Sequence, residues 1–296
     1  FPDRKLVDKY NYGFLFGSKL GKGKFTSIIT SRGCPYRCRF CQRNFFAMNC
    51  FRMRSAENVL QELKLLNDSF DSVLFADDNF LVNRKRAERI LEGIINEGLD
   101  MELWAEARVS DINEGILTKM KKAGFKVISF GLESGNQDVL DFYRKGITID
   151  QIRKAVTLSR KFGFYTSGTF ILGAPIEDEK HFRRTIDFAK SIPLDVTAFF
   201  VLEYGAGSPL WEEAVREGKI REDEYLVLAD SSRGLSKFSK EEIDFFCRKG
   251  HKEFYTRPSY LLDQFIQALR RRDLRLLKAI ARLALNRDIR KRYWSS

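Results

Sequence analysis

The 296-residue sequence lacks the features that several common protein classes require. It contains only two histidines, His181 and His251, which argues against a histidine-rich metal site and against a Ser-His-Asp triad. It has no apolar run long enough to cross a bilayer, and its first residues lack the apolar core of a signal peptide. Hydrophobic residues make up 44% of the chain and charged residues 31%, which is typical of a globular protein.

Cysteine is also scarce, and its five copies are unevenly placed. Three of them, Cys34, Cys38 and Cys41, fall within eight residues, whereas Cys50 and Cys247 stand apart. This is not the evenly spaced framework of a disulfide-rich secreted protein. We therefore predict a cytoplasmic protein whose clustered thiols bind a metal or an iron–sulfur cluster, and in which Cys50 and Cys247 are inert.

The beginning of the chain has no initiator methionine and little periodicity. Residues 1–25 are rich in glycine, lysine and aromatic residues. We expect them to form a linker from an upstream domain that is missing from this sequence.

Short β-rich runs alternate with amphipathic helical patterns over residues 26–225. Because each helix returns the chain to the same end of the sheet, this alternation predicts parallel strands. Six units are two fewer than a full barrel contains, so we predict an α/β fold, a partial (β/α)6 TIM-like barrel. The predicted strands are 26–30, 72–76, 101–107, 126–131, 165–172 and 196–202. The predicted helices are 55–67, 83–97, 111–123, 150–162, 178–191 and one that begins near 209.

Polar side chains follow the end of each predicted strand. The carboxyl ends of barrel strands form the active-site face, so we expect these groups to meet at one mouth. They are the cysteine cluster, residues 77–79, Glu106 with Arg108, Glu133 with Ser134, residues 173–175 and Glu203 with Tyr204.

Much of the net charge of +12 lies near the C-terminus, where residues 257–296 contain eleven Lys or Arg and three Asp. We predict a helical, basic C-terminal extension over residues 226–296. Its apolar residues share helical faces, namely Leu262, Phe265, Ile266 and Leu269, and then Leu276, Leu277, Ile280, Leu283 and Ala284. This pattern predicts either packing against the barrel or contact with an anionic membrane near a lipid-like substrate.

The clustered cysteines lie in the segment Ser-Arg-Gly-Cys-Pro-Tyr-Arg-Cys-Arg-Phe-Cys-Gln, residues 31–42. Three thiolates this close can hold one cubane cluster and leave one iron open to a cofactor or substrate. The alternatives are a structural zinc site with Cys50 as fourth ligand, and a reactive thiol. The spacing disfavours zinc because there is no second close pair of cysteines, and no nearby histidine could activate a thiol.

The pattern Cys-x-x-x-Cys-x-aromatic-Cys resembles the signature of the radical S-adenosylmethionine (SAM) superfamily. The resemblance extends over residues 26–205 and implies that Cys34, Cys38 and Cys41 bind a 4Fe-4S cluster. It also implies that the open iron binds SAM, that SAM cleavage starts radical chemistry, and that Phe40 lies against the adenine. It assigns no further catalytic residue.

Other positions resemble SAM-binding motifs of the family. Asp77 or Asp78 stands in place of a motif that contacts the SAM amino group, and Arg108 in place of the residue that pairs with the SAM carboxylate. A structural alternative is that the two aspartates cap the next helix.

Two further motifs lie on later strands. Glu133 and Ser134 resemble the loop that reaches the SAM ribose, and Gly173 belongs to a stretch that resembles a motif packing on adenine. The alternatives are that Glu133 pairs with Arg108 and that residues 173–175 form a turn.

Residues 1–4, 77–80, 203–210 and 254–258 resemble the cobalamin-dependent class of the superfamily. This resemblance implies an upstream cobalamin-binding domain and methylation or rearrangement of an unactivated carbon. The expected partners are a small-molecule or lipid-like substrate and a reductant such as flavodoxin or ferredoxin, and nucleic acid is not expected. Two other functions stay open: a radical SAM methylthiotransferase acting on RNA or protein, and a zinc-bearing nucleic-acid-binding module.

Overall fold

The computed structural model describes residues 1–7, 9–15, 18–48 and 50–285. At its centre is a six-stranded sheet in which all neighbouring strands are parallel. The strands lie side by side in chain order, so the first and the last form the two edges. They are β1 (Phe25–Ile28), β2 (Ser72–Phe75), β3 (Glu102–Ala107), β4 (Phe125–Glu133), β5 (Tyr165–Leu172) and β6 (Val196–Val201). The predicted α/β class with a six-stranded partial barrel is confirmed.

Helices connect the strands and continue after the last one. They are α1 (Ala56–Asn67), α2 (Arg84–Asn96), α3 (Glu114–Lys122), α4 (Gln137–Phe142), α5 (Ile149–Lys161), α6 (Glu179–Ser191), α7 (Pro209–Arg216), α8 (Lys240–Thr256), α9 (Pro258–Arg271) and α10 (Arg275–Leu285). A one-turn helix, Arg43–Phe46, follows the cysteine cluster. Short antiparallel pairs join Phe14–Leu15 to Ser18–Lys19, Ser31–Arg32 to Arg52–Met53, and Glu203–Gly205 to Leu226–Leu228.

Polar side chains determine where these helices begin. Thr148 and Gln151 form a capping box at the start of α5, which satisfies backbone N–H groups that have no partner inside the helix. Asn113 caps helix α3, whose first residue, Glu114, lies three positions after the predicted start at residue 111. Asp111 instead accepts a hydrogen bond from Asn79 Nδ2 at 2.8 Å, so it joins the loop after β2 to the loop after β3.

The sheet separates a helix-covered core from the barrel interior. Along β5 the residues alternate between partial and full burial, as expected for a strand with two different faces. Phe170 is fully buried and stacks on Phe199 at 5.3 Å. Ser167 and Thr169 lie on the other face and line cavities inside the barrel, with Thr169 nearer the carboxyl end.

The N-terminal residues lie along the edge strand β1. The Arg4 guanidinium donates to Ser27 O at 2.9 Å and forms an ion pair with Glu62 at 2.6 Å. Residues predicted to be a linker are therefore hydrogen-bonded to the first strand of the barrel and to α1.

Helix α10 covers the amino end of the barrel, away from the predicted mouth. Arg275 pairs with Glu102, the first residue of β3, at 2.7 Å and donates to Leu20 O. Leu276 and Ile280 are buried, as predicted for a helix that packs against the barrel. Residues 286–296 and the side chains of Leu283 and Ala284, which belong to the predicted tail helix, lie outside the described residues.

Helix α9 has its apolar face exposed. Its buried side chains are Tyr260, Gln264 and Ala268, and the Tyr260 hydroxyl donates to Asp195 O at 2.7 Å. For this helix the expectation that its apolar face packs on the barrel is wrong, because polar contacts attach the opposite face. The exposed apolar residues are Leu261, Leu262, Phe265, Ile266 and Leu269. Within the described part of the chain, none of the helices is sufficiently long and apolar to span a membrane.

Candidate active site

The cysteine loop begins two residues after the short strand pair that follows β1. Gly33 has a left-handed backbone, with φ of +82°, and a Cβ there would lie 2.5 Å from Cys50 O. Only glycine is compatible with both conditions. Asp77 holds the base of the loop, because its carboxylate accepts hydrogen bonds from Thr30 N at 2.6 Å and Ser31 N at 3.0 Å.

The three clustered cysteines line one cavity of about 320 Å³ at the carboxyl end of the barrel. Cys38 is buried, whereas Cys34 and Cys41 are partly exposed to the cavity. The polar side chains that share this cavity are Tyr36, Arg43, Asp78, Asn79, Glu106, Arg108, Ser129, Glu133, Lys145 and Thr169. The cavity lining therefore includes predicted groups from the ends of four strands, β1 to β4, whereas residues 173–175 and the pair Glu203 and Tyr204 lie outside it.

The donor set is suited to an iron–sulfur cluster. Within the described residues, no three His, Cys, Asp or Glu side chains converge as ligands of a single metal ion would. Three thiols around a shared cavity match a cluster whose irons are separate ligand positions. Burial raises the pKa of Cys34, and it raises that of Cys41 to about 11, so cluster binding must displace thiol protons.

The two remaining cysteines are placed differently. Cys50 is exposed and is not part of the cavity lining, although its backbone approaches Gly33. Cys247 is buried in α8, and burial raises the pKa of its thiol. Neither contributes a sulfur atom to the cavity of the clustered cysteines.

Arg108 directs a guanidinium toward the cavity directly after β3. Its guanidinium carbon lies 4.0 Å from the centroid of the Tyr36 ring, so the cysteine loop itself orients it. The stacked guanidinium lines the cavity of the three cysteines, so it can offer its planar set of donors to an anionic ligand there.

Glu133 ends β4 and pairs with Lys145, not with Arg108 as the structural alternative proposed. The Lys145 Nζ to Glu133 Oε1 distance is 2.6 Å, and both side chains are largely buried. Sequence reasoning missed Lys145. The signal that could have found it is the Arg-Lys-Gly turn, residues 144–146, at the end of the helix that follows β4.

Phe40 and Asp78 also line the cavity. Phe40 makes an edge-to-face contact with Tyr143 at 5.1 Å, which orients its ring beside the cysteines. Asp78 pairs with Arg43 at 3.3 Å. Glu106 is exposed inside the mouth. Partial desolvation there raises the pKa of its carboxyl group, and Arg43 opposes this rise.

Three residues predicted to contact the cofactor make contacts within the protein and are not part of the cavity lining, so their contacts with SAM stay predictions. Asp77 is occupied by Thr30 and Ser31, as described above. Ser134 is fully buried, where its hydroxyl lies 3.2 Å from Thr185 Oγ1. Gly173 donates its N–H to Glu177 Oε2 at 2.8 Å in a turn packed under α8, which matches the turn alternative.

Known proteins and a known family resemble this chain in sequence. The radical SAM superfamily model matches residues 28–189, more than half of the chain. The chain is 34% identical over 247 residues to an uncharacterized methyltransferase of Pyrococcus horikoshii, covering 82% of this chain and 54% of that protein. It is 25% identical to the cytidylyl-2-hydroxyethylphosphonate methyltransferase of Streptomyces wedmorensis, covering 85% of this chain and 48% of that protein. The chain thus spans about half the length of these curated relatives.

A solved structure has the same fold. It is the radical S-adenosylmethionine methyltransferase TsrM from Kitasatospora setae with cobalamin and a [4Fe-4S] cluster bound. The TM-score is 0.60 at 21% identity, and the match covers 68% of this chain and 41% of that chain. The likeness extends to the arrangement of strands and helices.

Proposed function

The chain belongs to the radical SAM superfamily, and we propose that it binds a 4Fe-4S cluster and SAM in the cavity at the carboxyl end of its barrel. The observation that carries this proposal is the position of Cys34, Cys38 and Cys41, which line one cavity together with charged and polar side chains. A cluster with one open iron, once bound there, supplies an electron for cleavage of a carbon–sulfur bond in SAM.

The chain's own residues have distinct tasks in this proposal. Arg108 supplies a fork of donors for the SAM carboxylate, and Asp78 an acceptor for the SAM amino group. Phe40 supplies an aromatic surface for the adenine, and Glu133 an acceptor for the ribose hydroxyls. All four line the same cavity as the cysteines.

Cysteine substitutions test the cluster assignment. Cys34→Ala, Cys38→Ala and Cys41→Ala should each abolish cluster absorbance and formation of 5′-deoxyadenosine from SAM after anaerobic reconstitution. The matched controls Cys50→Ser and Cys247→Ser should retain both. Bleaching by Cys50→Ser, with an intact cluster in one of the three alanine variants, would contradict the assignment. A colourless protein that contains zinc would instead favour the zinc-bearing module.

We further propose that the whole protein transfers a methyl group to an unactivated carbon with the help of cobalamin. Two relatives of the chain are named methyltransferases, and a structure with the same fold contains cobalamin. A carbon without an acidic proton resists ordinary methyl transfer from SAM, whereas a radical can first remove its hydrogen. Analysis of full-length protein for bound cobalamin and for methylated product tests this reaction.

The partners follow from this chemistry. We propose a small-molecule substrate that enters at the mouth, and a cytoplasmic reductant such as flavodoxin or ferredoxin. A net charge of +12 would speed the approach of an acidic electron carrier, so the rate of cluster reduction should fall as salt is added. A rate independent of ionic strength would contradict this charge complementarity.

We also propose peripheral contact with an anionic membrane through α9. Leu262, Phe265 and Leu269 are each at least half exposed, and Arg270 and Arg272 are exposed beside them. The contact lies on the side of the barrel's amino end, so it would anchor the protein without delivering a lipid to the mouth. Flotation with vesicles containing phosphatidylserine should bind the chain, and Phe265→Asp with Leu269→Asp should release it. Equal flotation of both proteins would remove this proposal.

A further inference from the structure

Lys145 is a buried cation that the proposed cofactor contacts leave without a task. It lines the cavity of the three cysteines, and its side chain is 13% exposed. Its Nζ lies 2.6 Å from Glu133 Oε1 and 5.8 Å from the centroid of the Phe40 ring. A charge in such a place acts strongly on its neighbours, because little water screens it.

Several residues around this ion pair have a left-handed backbone conformation. Arg144, with φ of +51°, and Gly146, with φ of +63°, flank Lys145, and Glu133 itself has φ of +65°. Left-handed backbone in residues other than glycine costs energy and collects at functional sites. The lysine turn is also tied to the cysteine loop, because Arg39 N donates to Tyr143 O at 2.9 Å.

The ammonium and the thiols influence one another. Burial by itself lowers the pKa of Lys145, but Glu133 and Cys38 outweigh it, so the pKa is raised and the side chain stays charged. Lys145 lines the same cavity as Cys34, Cys38 and Cys41. Because the ammonium is largely buried, its field reaches the sulfur atoms that would carry the cluster.

We infer that Lys145 sets the reduction potential of the cluster bound by Cys34, Cys38 and Cys41, and that Glu133 moderates its charge. This inference rests on the proposed function. Adding an electron makes the cluster more negative, so a nearby cation favours reduction and a nearby anion disfavours it. Loss of the ammonium would leave the Glu133 carboxylate unpaired beside the cluster, and loss of the carboxylate would leave the ammonium unpaired.

The test is a redox titration, followed by electron paramagnetic resonance, of anaerobically reconstituted protein without SAM. We expect Lys145→Met to lower the equilibrium constant for one-electron reduction about tenfold, which corresponds to about 59 mV. Glu133→Gln should raise the potential, the double variant should return toward the wild-type value, and Lys145→Arg should stay close to it. Iron content reports whether each variant holds its cluster.

Opposite shifts in the two single variants distinguish an electrostatic contribution from a structural one, which would move both in the same direction. Shifts of equal sign, or unchanged potentials in both variants with full iron content, would overturn the inference and leave the proposed function standing. If Lys145→Met lost its iron, Glu133→Gln would decide alone, with a raised potential in support and any other result against. A wild-type chain that assembles no cluster would overturn the proposed function, and this inference with it.

Discussion

Arg108 illustrates how a single residue is prepared for a ligand. Its guanidinium stacks on the Tyr36 ring at 4.0 Å, and Tyr36 belongs to the loop that carries the cysteines. Stacking orients the side chain without using its hydrogen-bond donors. The donors therefore stay available to an anion that enters the cavity.

We predict that Arg108→Ala weakens SAM binding to the reconstituted protein by about 1.5–3 kcal/mol, because a charge-assisted contact is lost. Isothermal titration calorimetry measures the affinity, and iron content should be unchanged. Arg37→Ala is the matched control, since Arg37 lies on the same loop but is exposed and outside the cavity lining. Equal SAM affinity in the Arg108 variant and the wild type would return Arg108 to a packing role.

Glu177 is a buried carboxyl group below the turn that follows β5. Its Oε2 accepts hydrogen bonds from Gly173 N at 2.8 Å and Ala174 N at 2.7 Å. Among the described residues, its Oε1 has no hydrogen-bond partner. Burial raises the pKa of Glu177 to about 7, although the two backbone donors oppose this.

The raised pKa of Glu177 makes the stability of the folded protein depend on pH. The folded state binds the Glu177 proton more tightly than the unfolded state, so stability falls as the pH rises from about 4.5 through 7, by up to about 3 kcal/mol. Glu177→Gln should flatten this part of the profile in urea denaturation between pH 5 and 8. Glu92→Gln, at an exposed carboxylate, should keep the wild-type slope. If stability fell equally steeply with pH in the Glu177 variant, Glu177 would not be the group that causes the fall.

Adjacent residues of like chemistry have different contacts here. Asp77 is buried under the cysteine loop, whereas Asp78 lines the cavity and meets Arg43. The sequence places both directly after β2 and could not separate them, since the direction of each side chain depends on the turn that the loop makes. Glu133 and Ser134 differ in the same way.

At the scale of elements, Asp195 attaches the C-terminal helices to the barrel. It lies just before β6 and is fully buried. Its carboxylate pairs with Arg160 of α5 and with Arg271 of α9, and it accepts a hydrogen bond from Thr166 N at 2.8 Å. One carboxylate thus compensates two largely buried cations from different helices.

We predict that Asp195→Asn destabilises the protein by about 3 kcal/mol, because Arg271 loses its carboxylate partner and Arg160 keeps only its pair with Asp263. Urea denaturation measures the loss. Glu179→Gln breaks an exposed pair with Arg183 on α6 and should cost less than about 1 kcal/mol. Similar costs for both substitutions would show that the Asp195 network contributes little to folding.

The same network explains why α9 departs from its amphipathic pattern. Helical periodicity identified the apolar face correctly, but Tyr260 and Arg271 attach the other face to Asp195 and Phe164 O. In α10 the apolar residues Leu276 and Ile280 do face the barrel. A periodic pattern identifies which residues share a face, and the partners available in the fold decide whether that face is covered.

At the scale of the whole molecule, the two ends of the barrel have separate roles. The cysteine cavity occupies the carboxyl end, and α10 covers the amino end through Arg275 and Leu276. The basic tail is thus partly used in internal ion pairs, such as those of Arg271 and Arg275. Because carboxylates within the protein compensate their charges, Arg271 and Arg275 contribute little to a binding surface for an anionic partner.

We predict that a protein extending this chain to the full length of its relatives binds cobalamin through an added domain and methylates its substrate. The described residues provide a cavity for the cluster and SAM, while the chain spans about half the length of the relatives named as methyltransferases. Absorbance spectra and cobalt content of the full-length protein, purified anaerobically, measure cobalamin. A full-length protein without cobalamin affinity would refute this prediction but not the family assignment.

The sequence by itself determined the six parallel strands, the family and the three cysteines, because these depend on local periodicity and on spacing within a short segment. Only the tertiary structure decided that Asp78 and not Asp77 lines the cavity, that Lys145 pairs with Glu133, and that α10 covers the amino end of the barrel. Those features depend on how distant segments meet. Lys145 reaches the cysteine loop across more than a hundred residues, and contacts of that kind leave no local pattern in a single sequence.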